Sequence, residues 1–165
     1  MTLPYTPAQA DAAHAQWHAM CGHFAIAAAT GRPLDDIRTA GVPLKGWMNP
    51  TMVTQTLDAL QVRHELCPLV GIDPETALSL VDHGAILRIQ WAGRWLNPGV
   101  PKGAAYQRTH YIALKNGTIM DPMYEPNVWL PVKNWLPIIQ NHLVPQIKNA
   151  TGYHFTHAWT PPLHL

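Results

Sequence analysis

The chain has 165 residues, of which 47% are hydrophobic and 13% are charged. This length predicts one domain, and a charged fraction well below the roughly 25% of average soluble domains excludes a disordered polyampholyte and a coiled coil. Ten acidic and eleven basic side chains leave a net charge of +1, with no basic run. We therefore expect neither nucleic acid nor a membrane surface as a partner.

Cysteine content and the amino-terminal segment bear on the cellular compartment. The two cysteines can form at most one disulfide, which favours a reducing environment. Residues 1–10 lack the positive start and apolar run of a secretory signal, and no apolar segment approaches the ~20 residues that span a bilayer. We expect a cytoplasmic protein in which residues 1–165 form one domain, and its oligomeric state is left open.

Helix-start and helix-stop signals dominate the first third of the chain. Thr6 and Gln9 form a capping-box pattern around Pro7, and Asn49-Pro50 combines a capping residue with proline at the first helical position. Gly31 is a typical helix stop after a small, apolar run. Helices are predicted from Thr6 to before Cys21, from Cys21 to Thr30, from Pro33 to Thr39 and from Asn49 through Leu60.

Strand signals follow these helices and are interrupted by helical patterns from Asp73 to Asp82 and from Asn134. Strands are predicted at Val62–Leu69, at Ala85–Trp91, on both sides of Asn116-Gly117, and at Tyr153–Trp159. Helices first and antiparallel strands later are typical of an α+β domain. We expect the N-terminal helices to pack against one side of a small antiparallel sheet.

The segment RTHYIALKNGTIMDPM contains a strong hairpin signal, because Asn116-Gly117 separates two apolar runs. A two-residue turn at this position predicts the pairs Lys115–Thr118, Leu114–Ile119, Ile112–Asp121 and His110–Met123. His110 and Asp121 are then diagonal neighbours on an otherwise apolar face, within about 8 Å. A buried carboxylate without a partner is costly, so we expect an imidazole–carboxylate contact, either catalytic or structural.

A second group of candidate residues surrounds Cys21. A cysteine in the first turn of a helix feels the partial positive charge of the helix amino end, which lowers the thiol pKa. Gly22 is expected to leave room for a substrate at the sulfur, and the Gln16 amide with the Cys21 N–H is a candidate pair of oxyanion donors. Most isolated cysteines are inert core residues, and Cys67, in a predicted strand, fits that description better.

The order Gln16, Cys21, His110, Asp121 resembles that of the papain-like cysteine peptidases. QWHAMCGHFAIAAATG is similar to the Gln-to-Cys segment and first helix of the Josephin deubiquitinases and, more loosely, of the bacterial leader peptidases that process double-glycine bacteriocin precursors. THYIALKNGTIMDP is similar to the His-strand and Asp-strand hairpin of the same superfamily. The resemblance implies a papain-like fold and a cofactor-free peptidase or isopeptidase that acts on a protein or peptide.

In that mechanism Cys21 is the nucleophile, His110 transfers the proton and Asp121 orients the imidazole. An acyltransferase or amidase of the same superfamily is the nearest alternative, because the first half-reaction is identical. A zinc site is a second alternative, since His14, His18 and Cys21 share one face of a continuous helix and His23 is close by. A third is an inactive peptide-binding module with a groove lined by Trp47, Trp91, Trp95, Trp129 and Trp135.

The polar, Gly/Pro-rich segment RWLNPGVPKGAAYQ, residues 94–107, directly precedes the His110 strand. Such loops often contact substrate, so we expect Trp95, Tyr106 and the following Thr109 to border the cleft. His154 and His157 stand three residues apart in a predicted strand, hence on opposite faces, and we assign them no role.

Overall fold

The computed structural model describes residues 1–41, 47–125 and 127–163. In these ranges the α-helices are α1 Pro7–Trp17, α2 Cys21–Thr30, α3 Leu34–Ala40, α4 Pro50–Ala59, α5 Pro74–Leu80, α6 Gly103–Tyr106 and α7 Val132–Ile138. The strands are β1 Glu65–Pro68, β2 Ala85–Ala92, β3 Thr109–Lys115, β4 Thr118–Met120, β5 Trp129–Pro131 and β6 Gly152–Thr160. They form one antiparallel sheet in the order β1-β6-β2-β3-β4-β5, which confirms the α+β class.

Three helix starts, those of α1, α4 and α5, arise from local capping, as predicted. The Thr6 hydroxyl accepts the Gln9 N–H at 3.2 Å and the Gln9 side chain accepts the Thr6 N–H at 2.8 Å, which completes the capping box before α1. Asn49 caps α4 and Asp73 caps α5, because their side chains accept the backbone N–H groups of Met52 and Thr76. Each cap is followed by a proline, whose missing N–H has no helical partner at that position. None of the described helices is long and apolar enough to cross a lipid bilayer.

The N-terminal helices pack on one side of the sheet, as expected, and later helices cover its other face. On the front face, α2, α3 and α4 enclose a core with Ile86, Tyr111 and Ala113. On the back face, α5, α7 and the π-helical turn Ile139–Leu143 enclose a second core. The reason is the composition of the central strands: β2 is buried at every position from 85 to 91, so both of its faces require cover.

The β3–β4 hairpin follows the predicted register near its turn and leaves it farther away. Asn116 and Gly117 adopt positive φ, 50° and 71°, as a tight two-residue turn requires, and Leu114 pairs with Ile119. The predicted pairings of Ile112 with Asp121 and of His110 with Met123 do not form, because β4 ends at Met120. There the Asp121 side chain accepts the Met123 N–H at 2.9 Å, a local turn that takes the chain out of the ladder.

A β-bulge in β6 changes the orientation of two histidines. Arg88 of β2 pairs with His157, whereas the next residue, Ile89, pairs with Phe155, so Thr156 is an extra residue. Because of this insertion, His154 and His157 lie on the same face of the sheet, and the prediction of opposite faces was wrong. Both face the front of the sheet, on the side of α2.

Candidate active site

Three predicted site residues, Cys21, His110 and Asp121, meet at one edge of β3. Cys21 is the first residue of α2, His110 is the second residue of β3, and Asp121 follows β4 directly. β4 pairs only with residues 113–115, so residues 109–112 of β3 have no partner in β4 along that edge. The thiol of Cys21 lies at this part of β3, where it accepts a hydrogen bond from the backbone N–H of Tyr111.

The His110–Asp121 contact predicted from the hairpin is present, and it is buried. His110 Nε2 lies 2.7 Å from Asp121 Oδ1, and the two side chains are 5% and 1% exposed. Asp121 Oδ1 also accepts the Met123 N–H, and Oδ2 accepts the Trp135 Nε1–H at 2.8 Å. Burial alone would raise the pKa of Asp121, but the His110 charge and these hydrogen bonds outweigh it and lower the pKa.

Sequence reasoning missed Trp135 as a site residue. It is fully buried in α7, 14 residues after Asp121 in the chain, and its indole N–H is one of the donors that hold the carboxylate. A tryptophan in an apolar helix carries no sequence signal that names its hydrogen-bond acceptor. The contact exists because α7 and the π-helical turn that follows it pack on the back face of the sheet.

The imidazole of His110 is held from several sides. Its Nε2 is engaged by Asp121, which leaves Nδ1 as the ring nitrogen available to its other hydrogen-bond partner, the Cys21 thiol. The Trp91 ring stacks on it, with centroids 5.8 Å apart and planes 14° apart. Burial on its own would lower the pKa of His110, but the Asp121 carboxylate and the Cys21 sulfur raise it above its ordinary value.

The Cys21 thiol has a lowered pKa although it is half-buried. Burial would raise this pKa, but the hydrogen bond and positive charge of His110 favour the thiolate, as do the backbone N–H groups of Tyr111 and Gly22. The amino end of α2 adds its partial positive charge. The lowered pKa of the thiol and the raised pKa of the imidazole both favour an ionised sulfur beside a protonated imidazole.

Backbone donors at the start of α2 are mostly occupied. The N–H groups of His23 and Phe24 donate to the Met20 carbonyl, and the Met20 N–H donates to His23 Nδ1 at 2.9 Å. Within the described part of the chain, the N–H of Cys21 has no such partner. It is therefore the donor that a developing oxyanion at the sulfur would meet first.

Gln16 is not brought into contact with the triad. It lies exposed in the last turn of α1, where it lines a pocket of about 150 Å³ with Tyr5 and Leu34, and none of the triad residues lines that pocket. Its role as a second oxyanion donor stays a prediction.

Gly22 lies directly against Met48. A Cβ at this position would lie 2.7 Å from the sulfur of Met48, which is itself 2% exposed. The missing side chain therefore makes room for Met48, and the room for a substrate at the sulfur stays a prediction. Gly22 still contributes to the site through its N–H, which faces the Cys21 sulfur.

The segment before His110 packs against β2, and its residues differ in exposure. Trp95 is only 5% exposed, and its indole N–H donates to the Trp91 carbonyl at 2.8 Å, so it belongs to the core, and its contact with a substrate stays a prediction. Arg108 stacks on the Trp95 ring at 4.6 Å. Tyr106 is 50% exposed and Thr109 is half-buried, so both remain candidates for substrate contact.

The zinc alternative required one helix through His14, His18 and Cys21. Instead α1 ends at Trp17, and His18 adopts a left-handed conformation with φ 61° that breaks the helix. His14 Nδ1 is 2.9 Å from the Ala19 carbonyl oxygen, and His23 Nδ1 accepts the Met20 N–H. Across the residues that the structure describes, no group of three or more His, Cys, Asp or Glu side chains is arranged to hold a metal ion.

The tryptophan groove of the binding-module alternative does not form as a set. Trp91, Trp95 and Trp135 are at most 5% exposed and belong to the back core, while Trp47 is 44% exposed. These three tryptophans are core residues.

Comparison with known proteins adds no assignment. No protein-family model matches the chain, and no curated protein or solved structure is significantly similar to it.

Proposed function

We propose that this protein is a papain-like cysteine hydrolase that cleaves a peptide or amide bond through Cys21, His110 and Asp121. The observation that carries the proposal is the grouping of the Cys21 thiol, the His110 ring and the buried Asp121 carboxylate, with 2.7 Å between His110 Nε2 and Asp121 Oδ1. A His–Asp pair with only a structural role does not require a thiol next to the second ring nitrogen of the histidine. The N–H groups of Tyr111 and Gly22 that face this sulfur add to the case, because they stabilise a thiolate.

The reaction would proceed in two halves. The Cys21 thiolate attacks the carbonyl carbon of the substrate, and the tetrahedral oxyanion accepts the free N–H of Cys21. His110 Nδ1–H then protonates the leaving amine, and an acyl-enzyme thioester remains. In the second half His110 takes a proton from water, the hydroxide attacks the thioester, and the thiolate leaves.

Asp121 would act throughout by holding the proton on Nε2 of His110, so that Nδ1 is the atom that gives and accepts the transferred proton. Its negative charge also compensates the imidazolium, which is otherwise costly in so buried a position. The Trp91 ring and the Trp135 indole fix the planes of the two side chains.

Alkylation with iodoacetamide at pH 6 tests the ion pair before any substrate is known. An ordinary thiol with a pKa of about 8.5 is only about 0.3% ionised at this pH, so a preformed thiolate reacts much faster. Cys67 is the internal control, because it is the other cysteine of the chain and is also half-buried. We expect Cys21 to react at least about tenfold faster than Cys67, as measured by mass spectrometry of the labelled peptides.

The His110→Ala variant should remove this difference while the circular dichroism spectrum stays native. Equal rates for the two cysteines in the wild-type protein would overturn the proposal. Electrophilic peptide and ubiquitin-like probes then identify the substrate class. With a reactive substrate in hand, Cys21→Ala and His110→Ala should abolish turnover, and Asp121→Ala should reduce it.

A further inference from the structure

Arg88 is a buried cation without a counterion. It lies in the middle of β2 on the front face of the sheet and is 7% exposed. One of its terminal nitrogens donates to the Thr156 hydroxyl at 2.9 Å, and its Nε–H has no hydrogen-bond partner among the residues that the structure describes. All ion pairs within 4.0 Å in the described part of the chain join a histidine to an aspartate, so no carboxylate neutralises Arg88.

A buried charge without a partner is expensive, and proteins usually pair or remove it. The surroundings of Arg88 are polar but uncharged. The bulge in β6 supplies the Thr156 hydroxyl and turns His154 and His157 to the same face of the sheet, on the neighbouring strand. Burial, followed by the charge of Arg88, lowers the pKa of both histidines, so they are neutral near pH 7. The positive charge of this group of residues therefore belongs to Arg88 alone.

Tyr111 connects Arg88 to the candidate nucleophile. It is the direct cross-strand partner of Arg88, and its phenol lies beside the guanidinium. The hydroxyl of Tyr111 donates to the Met48 carbonyl at 3.0 Å, while its backbone N–H donates to the Cys21 sulfur. Paired residues on neighbouring strands have Cα atoms about 5 Å apart. Arg88 is thus one strand away from the residue whose backbone contacts the sulfur, on the face of the sheet that carries α2.

We propose that Arg88 binds a carboxylate of the substrate, so that the enzyme prefers substrates with a negative charge close to the bond that it cleaves. This inference rests on the proposed function of Cys21. A guanidinium suits the role because its planar fork of N–H donors matches the two oxygens of a carboxylate. The Nε–H that lacks a partner in the free protein is the donor that such a ligand would satisfy. The carboxylate belongs either to an acidic side chain or to a free chain end.

Two pairs of alkylating probes distinguish these sources. N-iodoacetyl-glutamic acid α-amide and N-iodoacetyl-glutamine α-amide differ only in a side-chain carboxylate. N-iodoacetylglycine and N-iodoacetylglycinamide differ only in a terminal one. Second-order rates at Cys21 are measured at low ionic strength, because salt screens charges that solvent reaches. The ratio of the charged to the neutral probe is the readout, so general changes in thiol reactivity cancel.

We expect a ratio of about ten or more at Cys21 for at least one pair, and the pair that shows it identifies the source of the carboxylate. Arg88→Gln, which can still donate a hydrogen bond to Thr156, should bring this ratio close to one. Arg88→Lys keeps the charge and should retain most of the preference. A ratio near one in the wild-type protein, or a preference that survives Arg88→Gln, overturns the inference.

A measurement on the wild-type protein covers the case in which Arg88→Gln does not fold. N-acetyl-glutamic acid α-amide should slow the reaction of Cys21 with iodoacetamide severalfold more than N-acetyl-glutamine α-amide does, and equal protection counts against Arg88. Failure of the proposed function gives a different result, in which Cys21 reacts with iodoacetamide no faster than Cys67. Fast reaction at Cys21 without any carboxylate preference refutes only the role of Arg88.

Discussion

Replacement of Asp121 by asparagine should create a conflict with Trp135 that a second substitution relieves. The amide oxygen of Asp121→Asn must take the place of Oδ1, because His110 Nε2 and the Met123 N–H both donate there. The amide NH2 then takes the place of Oδ2, where it faces the indole N–H of Trp135. Two donors meet in a position that is 1% exposed, where water cannot separate them.

The magnitude follows from the bonds that change. A hydrogen bond to a charged acceptor contributes about 1.5–3 kcal/mol, and a buried donor left without an acceptor costs about 1–3 kcal/mol. Removal of the carboxylate also removes its desolvation cost, which offsets part of this loss. We expect Asp121→Asn to lower the free energy of unfolding by about 2–4 kcal/mol.

Trp135→Phe should behave differently in the two backgrounds. In the wild-type protein it leaves Asp121 Oδ2 without its donor and costs about 1.5–3 kcal/mol beyond the loss of apolar area. In Asp121→Asn it removes the donor that clashes, so the cost beyond apolar area is near zero. The area term is common to both backgrounds and cancels in the cycle, which leaves a coupling free energy of about 2 kcal/mol.

Urea unfolding of the four proteins at pH 7 measures this coupling, and it requires that the slope of the transition stays constant. Trp159→Phe is the matched control, because its indole donates to the neutral Thr54 hydroxyl at 3.0 Å, in another part of the sheet. Its effect should add to that of Asp121→Asn. Effects of Asp121→Asn and Trp135→Phe that add within about 0.5 kcal/mol would refute the reasoning.

Two further predictions concern the supports of the site. Burial lowers the pKa of His23 from 6.5 to about 4. The free energy of unfolding should therefore fall by up to about 3 kcal/mol as the pH drops from about 6.5 towards 4. His23→Gln can still accept the Met20 N–H, and it should give a flatter curve of unfolding free energy against pH. An equally steep acid loss in His23→Gln would contradict this assignment. A Cβ on Gly93 would lie 2.5 Å from the Trp95 ring. Gly93→Ala should therefore displace that buried ring, break its hydrogen bond to the Trp91 carbonyl and lower the free energy of unfolding in urea by about 1–3 kcal/mol. A loss below about 0.5 kcal/mol would show that the ring moves aside at little cost.

The elements that sequence reasoning located correctly depend on residues close together in the chain. Caps at Thr6, Asn49 and Asp73 set helix starts, and the Asn116-Gly117 turn aligned β3 with β4, because the groups involved lie within a few residues of each other. The His110–Asp121 contact belongs to the same class, since one hairpin brings the two side chains together across 11 residues. Local hydrogen bonding and side-chain alternation were sufficient to predict these features.

Tertiary packing decided the features that depend on distant segments. The Trp135 donor reaches Asp121 because a helix covers the back of the sheet, and the space beside Gly22 is filled by Met48 because a later segment passes the start of α2. The bulge at Thr156 reversed the predicted facing of His154 relative to His157, and no periodicity reveals an inserted residue.

The sequence by itself identified the candidate nucleophile and its imidazole and carboxylate partners. The helix start at Cys21 and the hairpin that joins His110 to Asp121 are both signals between residues close together in the chain. Only the tertiary structure decided that Arg88 is buried without a counterion beside Tyr111. Its environment is built from strands that are distant in sequence and meet only when the sheet has formed.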